Sequence, residues 1–348
     1  KRTACASSDQ EQLSLLASCY KEWFGLGEGD RALPGNLLEA LLFPAAGLSS
    51  FVVGERFSDS STPAARLLLE GADRYGLRLV SGEGRFWRGV ARLAERGALA
   101  RDARFEAVVH GGGDRDCGLD TLVETLPSAE VNLLFGSACS PFVASRKWGE
   151  TARVSGSETF RGVYRGRPLP GLQVSLLPSE ELRWTEEPRA ATPVGIVATA
   201  RREYAPVGDP DCWTGTGELG FFDFHGGLWH CGSREDVVAT SFGGFCPVRC
   251  ETVFNRHPRV RRSALIALRK NGKTRPGLVI ETAVGDIPKR GVEESRFKAE
   301  LLQLAMDIEE ARVIVDIFFS DRLPLGDGGF EGVDRDRLSK EYSRKLRF

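Results

Sequence analysis

The sequence predicts an α/β protein: a parallel-sheet α/β portion, then a small β subdomain, then a separate, hinged α+β module. Three observations predict it. Up to about residue 145, short apolar runs alternate with amphipathic helical spacing, the pattern of βαβ units. Over 146–232 the runs are short, β-type and broken by Gly and Pro, with no helical period. Over 233–348 helices and strands mix again. The expected divisions are therefore 1–145, 146–232 and 233–348.

The elements follow in order. Residues 9–24, DQEQLSLLASCYKEWF, have helical apolar spacing behind the candidate caps Ser8 and Asp9. SSFVVGE reads as a strand, 62–75 as a helix, LRLVS as a strand and 85–97 as a helix. FEAVVHGGG is a strand running into glycines, 118–126 a helix, and AEVNLLFGS a strand. Ligands of parallel sheets sit beyond the carboxyl ends of the strands, so HGGG at 110–113 and FGSACS at 135–140 mark the expected pocket edge. FRGVYRGRPLPGLQVSLLP, GIVATARREY and LGFFDFHGGLWHCG then read as an antiparallel barrel or sheet, with HGG as a hairpin turn. After 233, a helix is expected at 248–256, then strands SALIALRK and RPGLVIET around the turn NGK. A helix at 293–308, a strand ARVIVDIFFS and a basic helix at 334–347 complete the chain.

The 348 residues exceed one average domain, and 41% hydrophobic with 27% charged residues suit a soluble globular core. Lys+Arg 47 against Asp+Glu 48 leaves a net charge of -1, which provides no electrostatic footprint for nucleic acid or an acidic membrane. No apolar run approaches the roughly 18 residues of a membrane-spanning helix. The opening KRTACASSDQ has no apolar stretch behind its basic pair and reads as no secretory signal. It begins on Lys1 without an initiator Met, so numbering is expected to start inside a longer product, at a processed end or at the first ordered residue. Eight scattered cysteines are too sparse for a disulfide scaffold and fit a reducing cytoplasm. The close pair Cys246 and Cys250, near His230 and Cys231, lacks a C-x-x-C spacing; buried thiols are expected rather than a metal.

The order of these parts resembles the adenylate-forming superfamily of acyl-CoA ligases, carboxylate-AMP ligases and luciferases. GFFDFHGGLWHCGSREDVV, PVRCETVFNRHPRVRRSALIAL, GVYRGRPLPGLQV and RVIVDIFFSDRLPLGDGGFEGVDRDRL resemble its olefin β-lactone synthetase and fatty-acyl-AMP ligase branch. The resemblance implies ATP or AMP and Mg²⁺ as cofactors and an acyl or aryl carboxylate as substrate. A carboxylate would attack the α-phosphate of ATP, and a thiol or internal hydroxyl would then take the acyl group. It also implies a C-terminal lid that turns about a hinge, here Ser233, Arg234 and Glu235.

Residue by residue, the resemblance is uneven. The family's Gly/Ser/Thr-rich phosphate loop is not found; Lys1 stands where its last basic residue would be, and a long family segment normally precedes this point. Either the sequence is a fragment, or a protein partner or second copy supplies that half, or the half is lost. Gly112 and Gly113 occupy the turn between adenine and acyl pockets, where they either admit a planar ring or simply allow a turn. Phe135, Gly136 and Ser137 begin FGSAC where the family has Tyr-Gly-x-Thr-Glu, so Phe135 keeps a stacking face for a purine. Ala138 lacks the hydroxyl of that motif, and Cys139 replaces the Mg²⁺-holding carboxylate with a soft thiol. Glu218, in TGELG, stands where an Asp grips the ribose hydroxyls. Ser233 stands where an Arg contacts ribose and phosphate, and Arg234 lies one place late. The catalytic lysine position falls on Gly332, with Arg335 and Arg337 read as part of a basic, solvated terminal helix. No catalytic residue is therefore assigned. Nucleotide binding is expected to be weak, and adenylation impaired or dependent on a partner; the alternative is a non-catalytic descendant that binds a ligand or partner.

Overall fold

The computed structural model describes residues 10–51, 74–96, 104–110, 119–137, 140–150, 162–179, 182, 194–200, 212–241, 243–283, 286–306, 308, 310–324 and 332–346. The first part holds α1 (Gln10–Trp23), β1 (Arg31–Leu33), α2 (Leu37–Ala45), β2 (Ser49–Ser50), β3 (Leu77–Glu83) and α3 (Gly84–Glu95). It continues with β4 (Glu106–His110), α4 (Leu119–Thr125), β5 (Glu130–Phe135) and β6 (Ala144–Lys147). Next come β7 (Val163–Pro168), β8 (Val174–Leu177), β9 (Gly195–Ala200), β10 (Trp213–Phe222) and β11 (Leu228–Ser233). These form an 11-stranded sheet in the order β2-β1-β3-β4-β5-β6-β7-β11-β10-β9-β8.

The sheet changes character within itself. The pairs among β2, β1, β3, β4 and β5 are parallel. From β6 onward every pairing is antiparallel. β6 is therefore bonded to both halves, and the antiparallel texture read from sequence is an extension of the parallel sheet. Alternate residues of the parallel strands face opposite sides, as strand geometry requires. Leu79, Val108 and Leu134 pack under α1 and α2, on Leu16, Tyr20, Leu42 and Phe43. Val80, Ala107, Val109 and Leu133 pack under α3 and α4, on Trp87, Val90, Leu119 and Leu122.

Helix α2 was not expected from the sequence. Its amphipathic pattern is mixed: Leu37 and Leu41 are exposed, while Glu39 is fully buried beside Leu42 and Phe43. The Asn36 side chain caps it, accepting from the Glu39 N–H at 2.9 Å. The expected strand at 49–55 begins at β2, but 52–73, which includes most of the expected 62–75 helix, lies outside the described residues.

Beyond β11 a three-residue 3-10 turn (Arg234–Asp236) leads to the short pair β12 (Val238–Ala239) and β13 (Gly244–Phe245). The rest is α5 (Pro247–Phe254), β14 (Val260–Lys270), β15 (Lys273–Thr282), α6 (Val292–Ala305), β16 (Asp316–Ser320) and α7 (Arg335–Lys345). Asn271 (φ 50) and Gly272 (φ 73) make the two-residue turn that joins β14 to β15, the use to which an Asn-Gly pair is suited. The sheet β14-β15-β16 is covered on one face by Phe254 of α5 with Phe297 and Leu301 of α6. Leu338 and Tyr342 of α7 cover the other. The expected strand ARVIVDIFFS is shorter than read, because Ala311 and Ile314 reach the core from turns closed on Ile308 and Ala311. Among the described residues no helix is long and apolar enough to cross a membrane.

Candidate functional site

A cavity of about 180 Å³ opens among Val109, Leu133, Leu134, Phe135, Gly136, Arg146, Arg165, Glu218 and His230. These residues come from β4, β5, β6, β7, β11 and β10, which are consecutive in the sheet, and from the residue after β5. The site therefore lies where the parallel half gives way to the antiparallel half.

Local structure aims the Glu218 carboxylate. Gly217 takes φ +78, a conformation suited to glycine, and turns the chain into Glu218. Thr216 Oγ1 accepts from the Glu218 N–H at 3.0 Å and donates to the Val197 carbonyl at 2.7 Å. Across the hairpin, Asp223 closes the turn by accepting from the N–H groups of His225 and Gly227, each at 2.8 Å. The indole N–H of Trp229 adds a third bond to Asp223 at 2.9 Å. The register places His230 opposite Gly220, so Glu218 is its diagonal neighbour. The two side chains meet, His230 Nε2 to Glu218 Oε2, at 2.7 Å.

Around this pair the site is cationic and partly aromatic. Arg165 Nη2 lies 3.3 Å from His230 Nδ1, and its guanidinium stands 5.3 Å over the Phe135 ring. The His230 and Phe135 rings are 5.1 Å apart. Burial lowers the His230 pKa and the Arg165 charge lowers it further, against the Glu218 hydrogen bond. Arg146 contributes a second guanidinium and is 2% exposed.

Of the residues expected at a nucleotide, the structure brings Phe135, Gly136 and Glu218 to one cavity. Gly136 is needed for another reason than ligand approach: a Cβ there would stand 1.9 Å from the Pro141 carbonyl oxygen. Ser137 is turned into its own loop, its N–H donating to Ser140 O at 2.8 Å and its Oγ accepting from the Ser140 N–H. Arg234 is exposed on the 3-10 turn, with Ser233 as the residue before that turn and Glu235 within it. Gly112, Gly113, Ala138 and Cys139 lie outside the described residues. A Cβ on Gly332 would meet no described atom within 4 Å, so nothing among the described residues demands glycine there.

Arg335 departs from the solvated helix expected of it. It is 17% exposed and bonded to Glu251, with Asp236 of the 3-10 turn at 3.3 Å and the Leu265 carbonyl at 2.9 Å. His230, Arg165 and Arg146 were not anticipated as site residues. For Arg165 and His230 the signal is the alternation of residues in VYRGRP and LWHCG, which puts each on one side of its strand; Arg146 lies in ASRK.

A second polar cluster lies in the parallel half. Glu39 Oε1 receives the Tyr20 hydroxyl at 3.1 Å, Ser81 Oγ at 2.9 Å and His110 Nε2 at 2.7 Å, while Glu39 Oε2 accepts the Gly35 N–H at 2.8 Å. Ser81 and Glu39 meet the same imidazole nitrogen, so these groups do not form a nucleophile–base–acid relay, which needs opposite ring nitrogens. Cys231, Cys246 and Cys250 are buried thiols outside any disulfide, and burial pushes the Cys246 thiol up to about 12. Among the described residues no three His, Cys, Asp or Glu groups are placed to hold a metal ion. The cavity's guanidiniums, imidazole and single hydrogen-bonded carboxylate do not suit Mg²⁺, a hard cation that takes oxygen ligands. They suit an anion beside an aromatic face.

No family model matches the chain. It is 39% identical over 69 residues to an olefin β-lactone synthetase of Xanthomonas campestris pv. campestris, a match spanning 20% of this chain and 12% of the relative. It is 33% identical over 79 residues to an olefin β-lactone synthetase of Stenotrophomonas maltophilia, spanning 23% and 14%. The amide bond synthetase McbA of Marinactinospora thermotolerans superposes with a TM-score of 0.63 at 19% identity, covering 95% of this chain and 65% of that one. The O-succinylbenzoate coenzyme A synthetase of Bacillus subtilis, solved with ATP and a magnesium ion, gives 0.59 at 17% identity, covering 96% and 66%. Apo MatB of Rhodopseudomonas palustris gives 0.63 at 15% identity, covering 98% and 66%. The chain thus spans just under two thirds of these solved chains and a small part of the curated relatives. Along nearly its whole length it has the fold of the adenylate-forming ligases.

Proposed function

We propose that this chain is a relative of the acyl-activating ligases whose nucleotide pocket survives in altered form and whose adenylation step is impaired or needs a partner. The observation that carries this reading is the meeting of Phe135, Glu218 and two arginines at one cavity beyond β5. Phe135 offers a face for a purine, Glu218 an acceptor for ribose hydroxyls, and Arg146 and Arg165 countercharge for a phosphate. Gly112, Gly113, Gly136, Ser137 and Arg234 complete the expected nucleotide site. ATP or AMP is the cofactor this chemistry suits, with an acyl or aryl carboxylate as substrate, and the cysteine usage suits the cytoplasm. About 180 Å³ is small beside the roughly 300–1,000 Å³ of ordinary ligand sites, so Arg165 must leave the Phe135 face before a whole nucleotide enters. Binding is correspondingly weak.

Impairment follows from charge. Gly332 at the lysine position supplies no cation to the developing oxyanions, and loss of one such group costs on the order of 10²–10³ in rate. The C-terminal module, entered through Ser233, Arg234 and Glu235, is read as the lid. The second reading, a non-catalytic ligand or partner binder, is favoured by Arg165 lying over the face a purine would use.

The test is ATP–pyrophosphate exchange over a series of acyl and aryl acids, beside calorimetric AMP binding. The expected outcome is measurable AMP binding without exchange. Robust exchange would sink the impairment; absence of AMP binding would sink the nucleotide site. A Gly332→Lys variant should fold with stability within about 0.5 kcal/mol of the parent, as a Cβ there meets no described atom within 4 Å.

A further inference from the structure

His230 is 9% exposed and enclosed by the Phe135 ring, Arg165 and Glu218. Its protonation pattern follows from its partners. A guanidinium N–H can only donate, so Nδ1, facing Arg165 Nη2 at 3.3 Å, is the acceptor nitrogen of a neutral ring. The ring proton then sits on Nε2 and is donated to Glu218 Oε2 at 2.7 Å. One carboxylate oxygen is pinned, and Oε1 is the one left to accept from a ligand. The bulge between Leu219 and Gly220 sets the diagonal offset at which this bond forms.

We propose, resting on the nucleotide reading above, that His230 is a positioning residue: it aims Glu218 at the ribose diol and thereby sets the preference for ribose over deoxyribose. Arg165 serves the same purpose one step back by fixing the imidazole tautomer. Both ring nitrogens are engaged, by Arg165 and Glu218, so the ring makes no polar contact of its own to the sugar. Its effect passes through the carboxylate, as outer hydrogen bonds orient ligand-binding groups elsewhere. Both members of the His230–Glu218 contact line the cavity.

The experiment compares AMP with 2′,3′-dideoxy-AMP by calorimetry on the full chain. The parent should prefer AMP by about tenfold or more, the worth of hydrogen bonds to a charged group. His230→Phe keeps ring volume and removes the donor, so the ratio should fall to near unity. Two polar variants guard against misfolding. The amide of His230→Gln reaches where Nε2 stands and should restore the preference; that of His230→Asn reaches only Nδ1 and should not. A merely structural histidine would change both affinities together and leave the ratio alone. A ratio retained in His230→Phe or His230→Asn overturns the proposal, as does a parent that binds both nucleotides equally. A parent that binds neither removes the nucleotide reading beneath it.

Discussion

Two histidines of this chain meet carboxylates at the same 2.7 Å, His110 with Glu39 and His230 with Glu218, yet their pKa values move in opposite directions. Burial disfavours the imidazolium in both. At His110 the charge and hydrogen bond of Glu39 outweigh burial and raise the pKa. Glu39 is fully buried, and its pKa is lowered because the His110 charge and its several donors more than offset desolvation. At His230 the partner carboxylate is 24% exposed and a guanidinium shares the ring, so burial and Arg165 together win. The difference teaches that a contact distance does not set a charge state. What sets it is how fully the partner anion is buried and whether another cation competes. The first pair fastens α2 to the sheet; the second lines a cavity, with its carboxylate partly exposed.

The largest expected effect tests the fastening. Glu39→Gln removes the one anion that Tyr20, Ser81, His110 and the Gly35 N–H converge on. Breaking such a buried pair costs about 3–5 kcal/mol, read as a shifted urea midpoint. A loss below about 1 kcal/mol would mean the network is idle. The pH dependence follows with its signs. His110, with a raised folded pKa, gives stability that is full below about 6.5 and lost as pH rises through the folded value. Glu39, with a lowered one, gives stability present above about 4.5 and lost as pH falls through its folded value. Unfolding free energy of the parent should therefore peak between these limits, and Glu39→Gln should flatten the peak. An unchanged profile would break the assignment.

These contrasts also mark what the sequence could and could not disclose. The turn at Asn271 and Gly272, the strands around it and the alternation in β3, β4 and β5 depend on neighbours in sequence, and they are legible there. Helix α2 is not, because Glu39 belongs on the buried face only when Ser81 and His110 arrive from distant strands. Glu218 stands out in its motif, whereas His230 and Arg165 gain meaning only through the order β7-β11-β10, which brings them together. Arg335 reads as one more cation of a terminal helix, since its partner Glu251 lies 84 residues earlier. Strand order and long-range ion pairs are set by packing, and local periodicity carries neither.

The next effect is spectroscopic. Arg165→Met removes the cation beside His230 Nδ1 while keeping an apolar stem over Phe135. The imidazole pKa, followed by NMR titration, should rise toward its ordinary value without reaching it, because burial, the larger cause, remains. A fall, or no change, would show that Arg165 does not govern the ring and would leave the two histidines differing by burial alone.

The smallest effect sharpens the comparison most. Glu218→Gln keeps the side-chain shape and exchanges a charge-assisted bond from His230 for a neutral one. Because this carboxylate is 24% exposed, water compensates part of the change, and the stability loss should stay below about 1 kcal/mol in urea denaturation. The same substitution at Glu39 should cost several times more, although both contacts measure 2.7 Å. Among the described residues only His230 donates to the Glu218 carboxylate, whereas the Tyr20 and Ser81 hydroxyls converge on Glu39 as well as His110; Glu218 lines the cavity. A Glu218→Gln loss as large as that of Glu39→Gln would mean that the second pair also fastens the fold, and its carboxylate would then have no freedom to serve a ligand.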